Sequence, residues 1–390
     1  MERLPPPTEA EWRDWRWQLR NRITTADQLA NYMNLTAAER EEIERAGGEF
    51  RWAVTPYYAA LMDPDDPSCP LRLQQVPSVQ ELTDELGIPD PLLEKSNSPV
   101  SSVVHVYPDR VAFKVTNVCP TYCRYCFREY FVGNVEEHHT REKVQEGIDY
   151  IRRTPAIRDV LITGGDPLLF SDERLEDLFS QLRSIEHVEL IRAGSRTPCT
   201  LPQRITPELC ELLSRFHPIW LNTHFNHPDE ITDEAAAACD RLTRAGVPVG
   251  NQTVLLKGVN DSVEVMTELV HRLLAIRVRP YYIYQCQILS GTAHLRTTIE
   301  KGLEIIDGLR GHTTGFGVPT YVVDTPFGKV PLAPQYIAGR DGNDVILRSW
   351  DGQLWREPNP LGEQAPAFAL PAFDGDATAD VASYTSRDGR

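Results

Sequence analysis

The stretch VAFKVTNVCPTYCRYCFR, residues 111–128, decides how the rest of the chain is read. Its first half is β-branched and apolar, the composition of a strand, and it runs directly into Cys119, Cys123 and Cys126, spaced C-x3-C-x2-C. An iron–sulfur cluster of four irons takes its thiolates on separate irons, so a loop that supplies three leaves one iron open to a substrate-like ligand. Four clustered cysteines would point to electron transfer or structural zinc, and no fourth lies near this loop in sequence. A zinc site completed by a distant His or Cys remains the alternative, as does a chance grouping. Tyr122, Tyr125 and Phe127 would shield a cluster from solvent, and Arg124 and Arg128 put basic charge beside it.

Outward from this loop, short β-branched runs alternate with amphipathic helical segments. The runs are VAFKVTNV, DVLITGG, VELIRAGS, IWLNTHF, VPVGNQTVLL and RPYYIYQC; segments such as TREKVQEGIDYIRRT and DERLEDLFSQLRSI lie between them. Six β–α units predict an α/β fold, a partial (β/α)6 TIM-like barrel over 106–333, with helices outside a parallel sheet. Polar residues stand at every strand end: Asn117, Gly165 and Asp166, Ser195 and Arg196, Asn222 and His224, Asn251 and Gln252, and Gln285. Catalytic groups collect on that rim of a barrel, whereas a doubly wound sheet would gather ligands at one switch point. Residues 1–105 predict an N-terminal helical extension, with Thr36 and Glu39 as a capping box. Residues 334–358 predict a C-terminal β segment that closes the site. Residues 359–390, poor in large aliphatics, predict a disordered tail.

The totals bound the function. The chain has 390 residues and a net charge of −16, which argues against a surface that collects nucleic-acid phosphates. The charged N-terminus does not read as a secretory signal, and there is no run of apolar residues long enough to span a membrane, so a cytoplasmic enzyme is expected. Cys69, Cys199, Cys210, Cys239 and Cys286 are scattered, as buried small hydrophobes would be.

The three-cysteine loop after a first strand resembles the radical S-adenosylmethionine superfamily. YPDRV, CRYCFR, VLITGGDPLL, GSRTPCTLPQRITPEL, WLNTHFNHPDEIT, GVPVGNQTVLLKGVND, IRVRPYYIYQC and the later GKVPL resemble, in order, lysine 2,3-aminomutase and its relatives over roughly residues 100 to 350. The resemblance implies an isomerase with a [4Fe-4S] cluster, S-adenosylmethionine and pyridoxal 5′-phosphate. In such enzymes a carbon radical made from S-adenosylmethionine takes a hydrogen from the β-carbon of an amino acid, and the amino group moves from the α- to the β-carbon. It implies an electron donor such as flavodoxin or ferredoxin, and a homo-oligomer.

Residue by residue, Cys119, Cys123 and Cys126 match the cluster ligands. Gly164, Gly165 and Asp166 match the turn that approaches the methionine amino group, and Ser195, Arg196, His224 and Gln252 match positions that contact S-adenosylmethionine. Lys329 matches the lysine that holds pyridoxal phosphate covalently. Tyr107 and Arg110 match groups around its phosphate; Val106 stands where relatives carry a further arginine, so weaker phosphate binding or another donor is expected. Arg128 matches the arginine that pairs with the substrate α-carboxylate.

Lysine enzymes hold the distal ammonium with two aspartates. Asp324 matches one, but Gln287 stands at the other position. One carboxylate and an amide oxygen suit a planar guanidinium better than an ammonium, so the expected substrate is arginine, with lysine as the alternative. Glutamate would be repelled by Asp324. Ser262 replaces a zinc-binding cysteine after GVND, and no cysteine follows Cys286, so no structural zinc is expected. Two other readings are a protein-modifying aminomutase, disfavoured by the long N-terminal extension, and an iron–sulfur carrier, which leaves Lys329, Arg128 and Asp324 without roles.

Overall fold

The computed structural model describes residues 7–332, 336–349, 352–360 and 381–382. Strand β1 (Val103–Tyr107) pairs antiparallel with β2 (Arg110–Thr116). From β2 the sheet continues in parallel through β3 (Asp159–Gly164), β4 (Leu190–Gly194), β5 (Ile219–Thr223), β6 (Val249–Leu255), β7 (Arg279–Gln285) and β8 (Thr320–Thr325). Strand β9 (Gly328–Pro331) then turns back against β8. Strand order equals sequence order. That is the winding of a barrel, since a doubly wound sheet reverses direction at its switch point.

All six expected strands are present, and one further parallel strand extends the expected six-unit barrel. Strand β8 escapes a composition reading because its β-branched core is short and sits between Gly/Pro-rich GFGVP and TPFG. The barrel remains open between β1 and β9, which are not paired. Side chains span that seam: the Tyr107 hydroxyl accepts from the Lys329 backbone N–H at 2.6 Å, and Asn97 Nδ2 donates to the Pro326 carbonyl at 3.0 Å.

Alternation along the strands separates the helix-covered face from the lumen. On β2, Val111, Phe113 and Val115 are buried toward the helix Arg141–Arg152, where Gly147 lies so close to Phe113 that a Cβ would meet its ring at 2.4 Å. Ala112, Lys114 and Thr116 therefore face the lumen. That helix begins at Thr140, whose side chain accepts from the Lys143 N–H, and it buries Val144, Ile148 and Ile151 on one stripe. The helix Asp233–Arg244 likewise buries Ala235, Ala238, Cys239 and Leu242. All five scattered cysteines are buried, and none is in a disulfide.

The N-terminal region holds helices Glu9–Arg13, Trp15–Arg20, Ala26–Leu29, Ala37–Glu49, Pro56–Ala59 and Pro70–Leu73. The capping box at Thr36 is formed, with Thr36 N–H donating to Glu39 at 2.8 Å and Glu39 N–H to Thr36 Oγ1 at 3.2 Å. A second sheet comprises β10 (Ile337–Asp341), β11 (Asp344–Arg348), β12 (Leu354–Glu357) and β13 (Val381–Ala382). It meets the β8–β9 hairpin where Trp355 packs edge-on against Phe327, with ring centroids 6.0 Å apart. Within the stretch expected to be a disordered tail, Val381–Ala382 is an edge strand beside β12; residues 361–380 and 383–390 lie outside the described residues. Among the described residues no helix is long and apolar enough to cross a membrane.

Candidate active site

The segments between the N-terminal helices form a clamp on the three-cysteine loop. Arg22 Nη1 donates to the Cys119 carbonyl at 2.7 Å, Tyr122 N–H to the Ala53 carbonyl at 2.8 Å and Arg124 N–H to the Gln74 carbonyl at 2.9 Å. The Arg124 guanidinium, between two of the cysteines, forms a buried pair with Glu81 through both carboxylate oxygens and also donates to the Arg51 carbonyl at 2.9 Å. Removing one partner of such a pair leaves a buried charge uncompensated. Glu81→Ala is therefore expected to destabilise the chain by about 3–5 kcal/mol, measured by denaturant unfolding, and to reduce iron retention with it.

Cys123 Sγ accepts from Arg196 Nη1 at 2.8 Å and from Gln75 Nε2 at 3.8 Å. Burial, reinforced by neighbouring anionic groups and by one another, pushes the Cys119 thiol far up and Cys126 up to about 12. Thiolates in this position need a positive partner, and a cationic iron cluster supplies one. Among the described residues no three His, Cys, Asp or Glu side chains converge as ligands of a single ion would.

The strand ends stand around this loop. At the end of β3, Gly164 has φ +127°, and a Cβ there would meet the Thr116 carbonyl at 2.3 Å. A Cβ on Gly165 would meet the Val118 carbonyl, also at 2.3 Å, so only glycine lets this turn pack on the cysteine loop. The Asp166 carboxylate is spent within the protein: it accepts from Ser195 Oγ at 2.7 Å, Arg196 N–H at 2.9 Å, Thr197 N–H at 3.1 Å and Leu168 N–H at 3.1 Å. Asp166 and Ser195 therefore fix the β3 and β4 turns against each other. Arg196 also reaches Gln74 at 2.8 Å and Glu230 at 2.6 Å. His224 stacks on Tyr125, centroids 5.5 Å apart, with 3.0 Å between its Nε2 and the Tyr125 hydroxyl. Burial and the Arg196 charge hold it neutral. Gln252 is part-exposed on β6, between the buried Asn251 and Thr253. Asn222, 7% exposed at the end of β5, has an amide nitrogen with no partner, as a site awaiting a ligand acceptor would.

Deeper in the lumen, Lys329 on β9 lies opposite Asp324 on β8, with Nζ 3.0 Å from Oδ2. Burial works against the ammonium, but the charge and hydrogen bond of Asp324, with the Tyr107 oxygen, together outweigh it and raise the Lys329 pKa. Gln287 Nε2 donates to the Asp324 carbonyl at 3.0 Å, bracing the strand that carries the carboxylate. The Arg110 guanidinium stacks 3.8 Å from the Tyr107 ring centroid. Across the barrel, Arg128 donates its side-on fork to Glu94, Nε to Oε2 at 2.9 Å and Nη2 to Oε1 at 2.7 Å, and Nη1 to Thr163 Oγ1 at 2.9 Å. Of five guanidinium N–H groups, the remaining two lie one on each terminal nitrogen, and no hydrogen bond among the described residues takes them.

The structure sets the predicted residues on the barrel strands and the loops at their ends, joined in local groups, and adds partners that no spacing announces: Glu94, Glu81, Gln74 and Gln75 from the N-terminal region, and Thr163 from β3. A barrel whose first parallel strand delivers three cysteines to a rim of glycine turns and polar strand ends defines a radical S-adenosylmethionine enzyme, and residues 113–270 match the Radical SAM superfamily. Residues 306–382 match the Lysine-2,3-aminomutase family. The chain is 52% identical to L-lysine 2,3-aminomutase of Clostridium subterminale, over 91% of this chain and 86% of that protein. It is 50% identical to L-lysine 2,3-aminomutase of Bacillus subtilis (strain 168), over 94% and 79%, and 47% identical to glutamate 2,3-aminomutase of Clostridioides difficile (strain 630), over 89% and 83%. The chain belongs to the lysine 2,3-aminomutase family: it is an isomerase that works with a [4Fe-4S] cluster, S-adenosylmethionine and pyridoxal phosphate.

Proposed function

We propose that this chain converts L-lysine to β-lysine. The observation that carries the reading is the charge layout of the lumen. Arg128, held through Thr163 on β3, offers a cation to an α-carboxylate, and Asp324 on β8 offers a carboxylate to a distal cation on the opposite wall. A basic amino acid spans such a lumen with both ends matched, whereas a glutamate side chain would meet Asp324 as a like charge. Lysine takes precedence over the arginine expected from Gln287, because the relatives at 50 to 52% identity carry lysine in their names. Gln287 also spends its amide N–H on the Asp324 carbonyl, so its part is to position that carboxylate.

When bound, the cluster and S-adenosylmethionine supply the radical that abstracts hydrogen, and pyridoxal phosphate carries the migrating nitrogen. Cys119, Cys123 and Cys126 hold the cluster, and the Gly164–Gly165 turn, Ser195, Arg196, His224 and Gln252 form the wall that S-adenosylmethionine lies against. Lys329 is the attachment point for pyridoxal phosphate, with Tyr107 and Arg110 beside its phosphate. Asp324 keeps the free Lys329 protonated and is released to the substrate once Lys329 is engaged. A flavodoxin- or ferredoxin-like electron donor, a homo-oligomeric assembly without a zinc clamp, and a cytoplasmic setting complete the proposal.

The test is competitive turnover. Reduced, cofactor-loaded enzyme given L-lysine, L-arginine and L-glutamate is expected to favour lysine by roughly tenfold or more in kcat/KM, read as the β-isomer formed. Turnover of arginine with none of lysine would overturn the lysine assignment and leave Gln287 as its cause.

A further inference from the structure

We infer that Lys114 is a second anchor for the substrate's α-carboxylate, which sits between the Lys114 ammonium and the Arg128 guanidinium in the barrel lumen. The inference rests on the reading of Arg128 given above and extends it to a residue outside the family motifs quoted for this chain. Lys114 lies in the middle of β2 and is 3% exposed. Its strand neighbours Phe113 and Val115 turn to the helical side, so Lys114 turns inward. In the β2–β3 ladder it is the register partner of Thr163. Side chains of paired parallel residues share a face, with strands about 4.8 Å apart. Thr163 Oγ1 in turn accepts from Arg128 Nη1 at 2.9 Å. Lys114, Thr163 and Arg128 are therefore contiguous.

The charges at this spot do not balance. The acid nearest the two cations is Glu94, whose carboxylate already accepts from Arg128 and from the Tyr130 hydroxyl at 2.9 Å. Asp90 accepts from the backbone N–H groups of Glu94 and Lys95, and Glu137 pairs with the exposed Lys95. The Lys114 ammonium has aromatic faces beside it, Tyr130 at 6.0 Å and Phe131 at 5.3 Å, and among the described residues no hydrogen-bond acceptor. Burial and the Arg128 charge accordingly disfavour its protonated form against the pull of Glu94. Two buried cations around one carboxylate leave room for one more anion. A carboxylate gripped from two sides is fixed in position and direction, which sets the adjoining α- and β-carbons for hydrogen abstraction.

The experiment uses enzyme loaded with pyridoxal phosphate and reads ligand binding from the visible absorption of the cofactor, with no need for turnover. Lys114→Met keeps the length and apolar stem and drops the charge; Lys114→Arg keeps the charge. Each is titrated with L-lysine and with 1,5-diaminopentane, the same chain without the carboxylate. Lys114→Met is expected to weaken L-lysine roughly 10- to 100-fold with no change for the diamine, and Lys114→Arg to stay within a few-fold of the unaltered enzyme. Unchanged L-lysine affinity in Lys114→Met, with Arg128→Gln weakened, overturns the inference alone. If Arg128→Gln also binds normally, the reading of Arg128 fails with it. Loss of pyridoxal phosphate retention in Lys114→Met, with lysine affinity intact, would assign the ammonium to the cofactor phosphate and overturn it as well.

Discussion

Lys329→Ala is expected to lower turnover by at least ~10³-fold and to yield protein that no longer keeps pyridoxal phosphate through gel filtration. The amine stands on β9, part-exposed to the lumen, with its backbone fixed by the Tyr107 hydroxyl and its ammonium 3.0 Å from Asp324. Condensation with an aldehyde needs the neutral amine, and Asp324 holds that amine protonated. The sign of the pH dependence follows. Because the Lys329 pKa is raised, cofactor uptake by the apoprotein accelerates as pH rises toward it. In Asp324→Asn the carboxylate that raises it is gone, so the profile moves to lower pH while L-lysine binding weakens. Stopped-flow absorption against pH measures both. A profile that stays in place in Asp324→Asn would show that the ion pair does not control the amine.

The barrel was legible because its strands are dense in β-branched residues and its helices keep an apolar stripe at helical spacing. VLITG on β3 and VGNQTVL on β6 need no other information. Strand β8 was not, since YVV alone is short enough for a loop, and only pairing with β7 and β9 makes it a strand. The cysteine loop announces itself by spacing, which is local. Glu94 and Glu81 do not, because an ion pair across 34 or 43 residues leaves no periodicity in the chain. An N-terminal region that read as a helical lead-in is thereby one wall of the site. Lys114 carries a signal in its strand. A lysine in a strand whose alternate residues are Val111, Phe113 and Val115 must lie on the opposite face, and in a barrel that face is the lumen.

Replacing any one of Cys119, Cys123 or Cys126 by alanine is expected to abolish both turnover and release of 5′-deoxyadenosine, a loss of at least ~10³-fold. Unaltered protein reconstituted without oxygen should hold four irons per chain and no stoichiometric zinc. Each variant should hold fewer irons, because a cubane left with two protein thiolates has two exposed irons and is no longer closed off from solvent. The size of the loss should not be equal across the three. Cys123 Sγ is the thiol that accepts from Arg196 and Gln75. Hydrogen bonds to a ligand sulfur stabilise its anionic form and raise the potential of the cluster it holds. Removing Cys123 thus takes away a ligand and leaves the Arg196 guanidinium, tied to Glu230 and Gln74, facing an empty corner. Removing Cys119 leaves that network whole. Iron analysis and electron paramagnetic resonance of the reduced variants separate the cases: Cys119→Ala should retain more residual cluster than Cys123→Ala. Zinc at one per chain, or full iron in any of the three variants, would contradict the assignment of this loop.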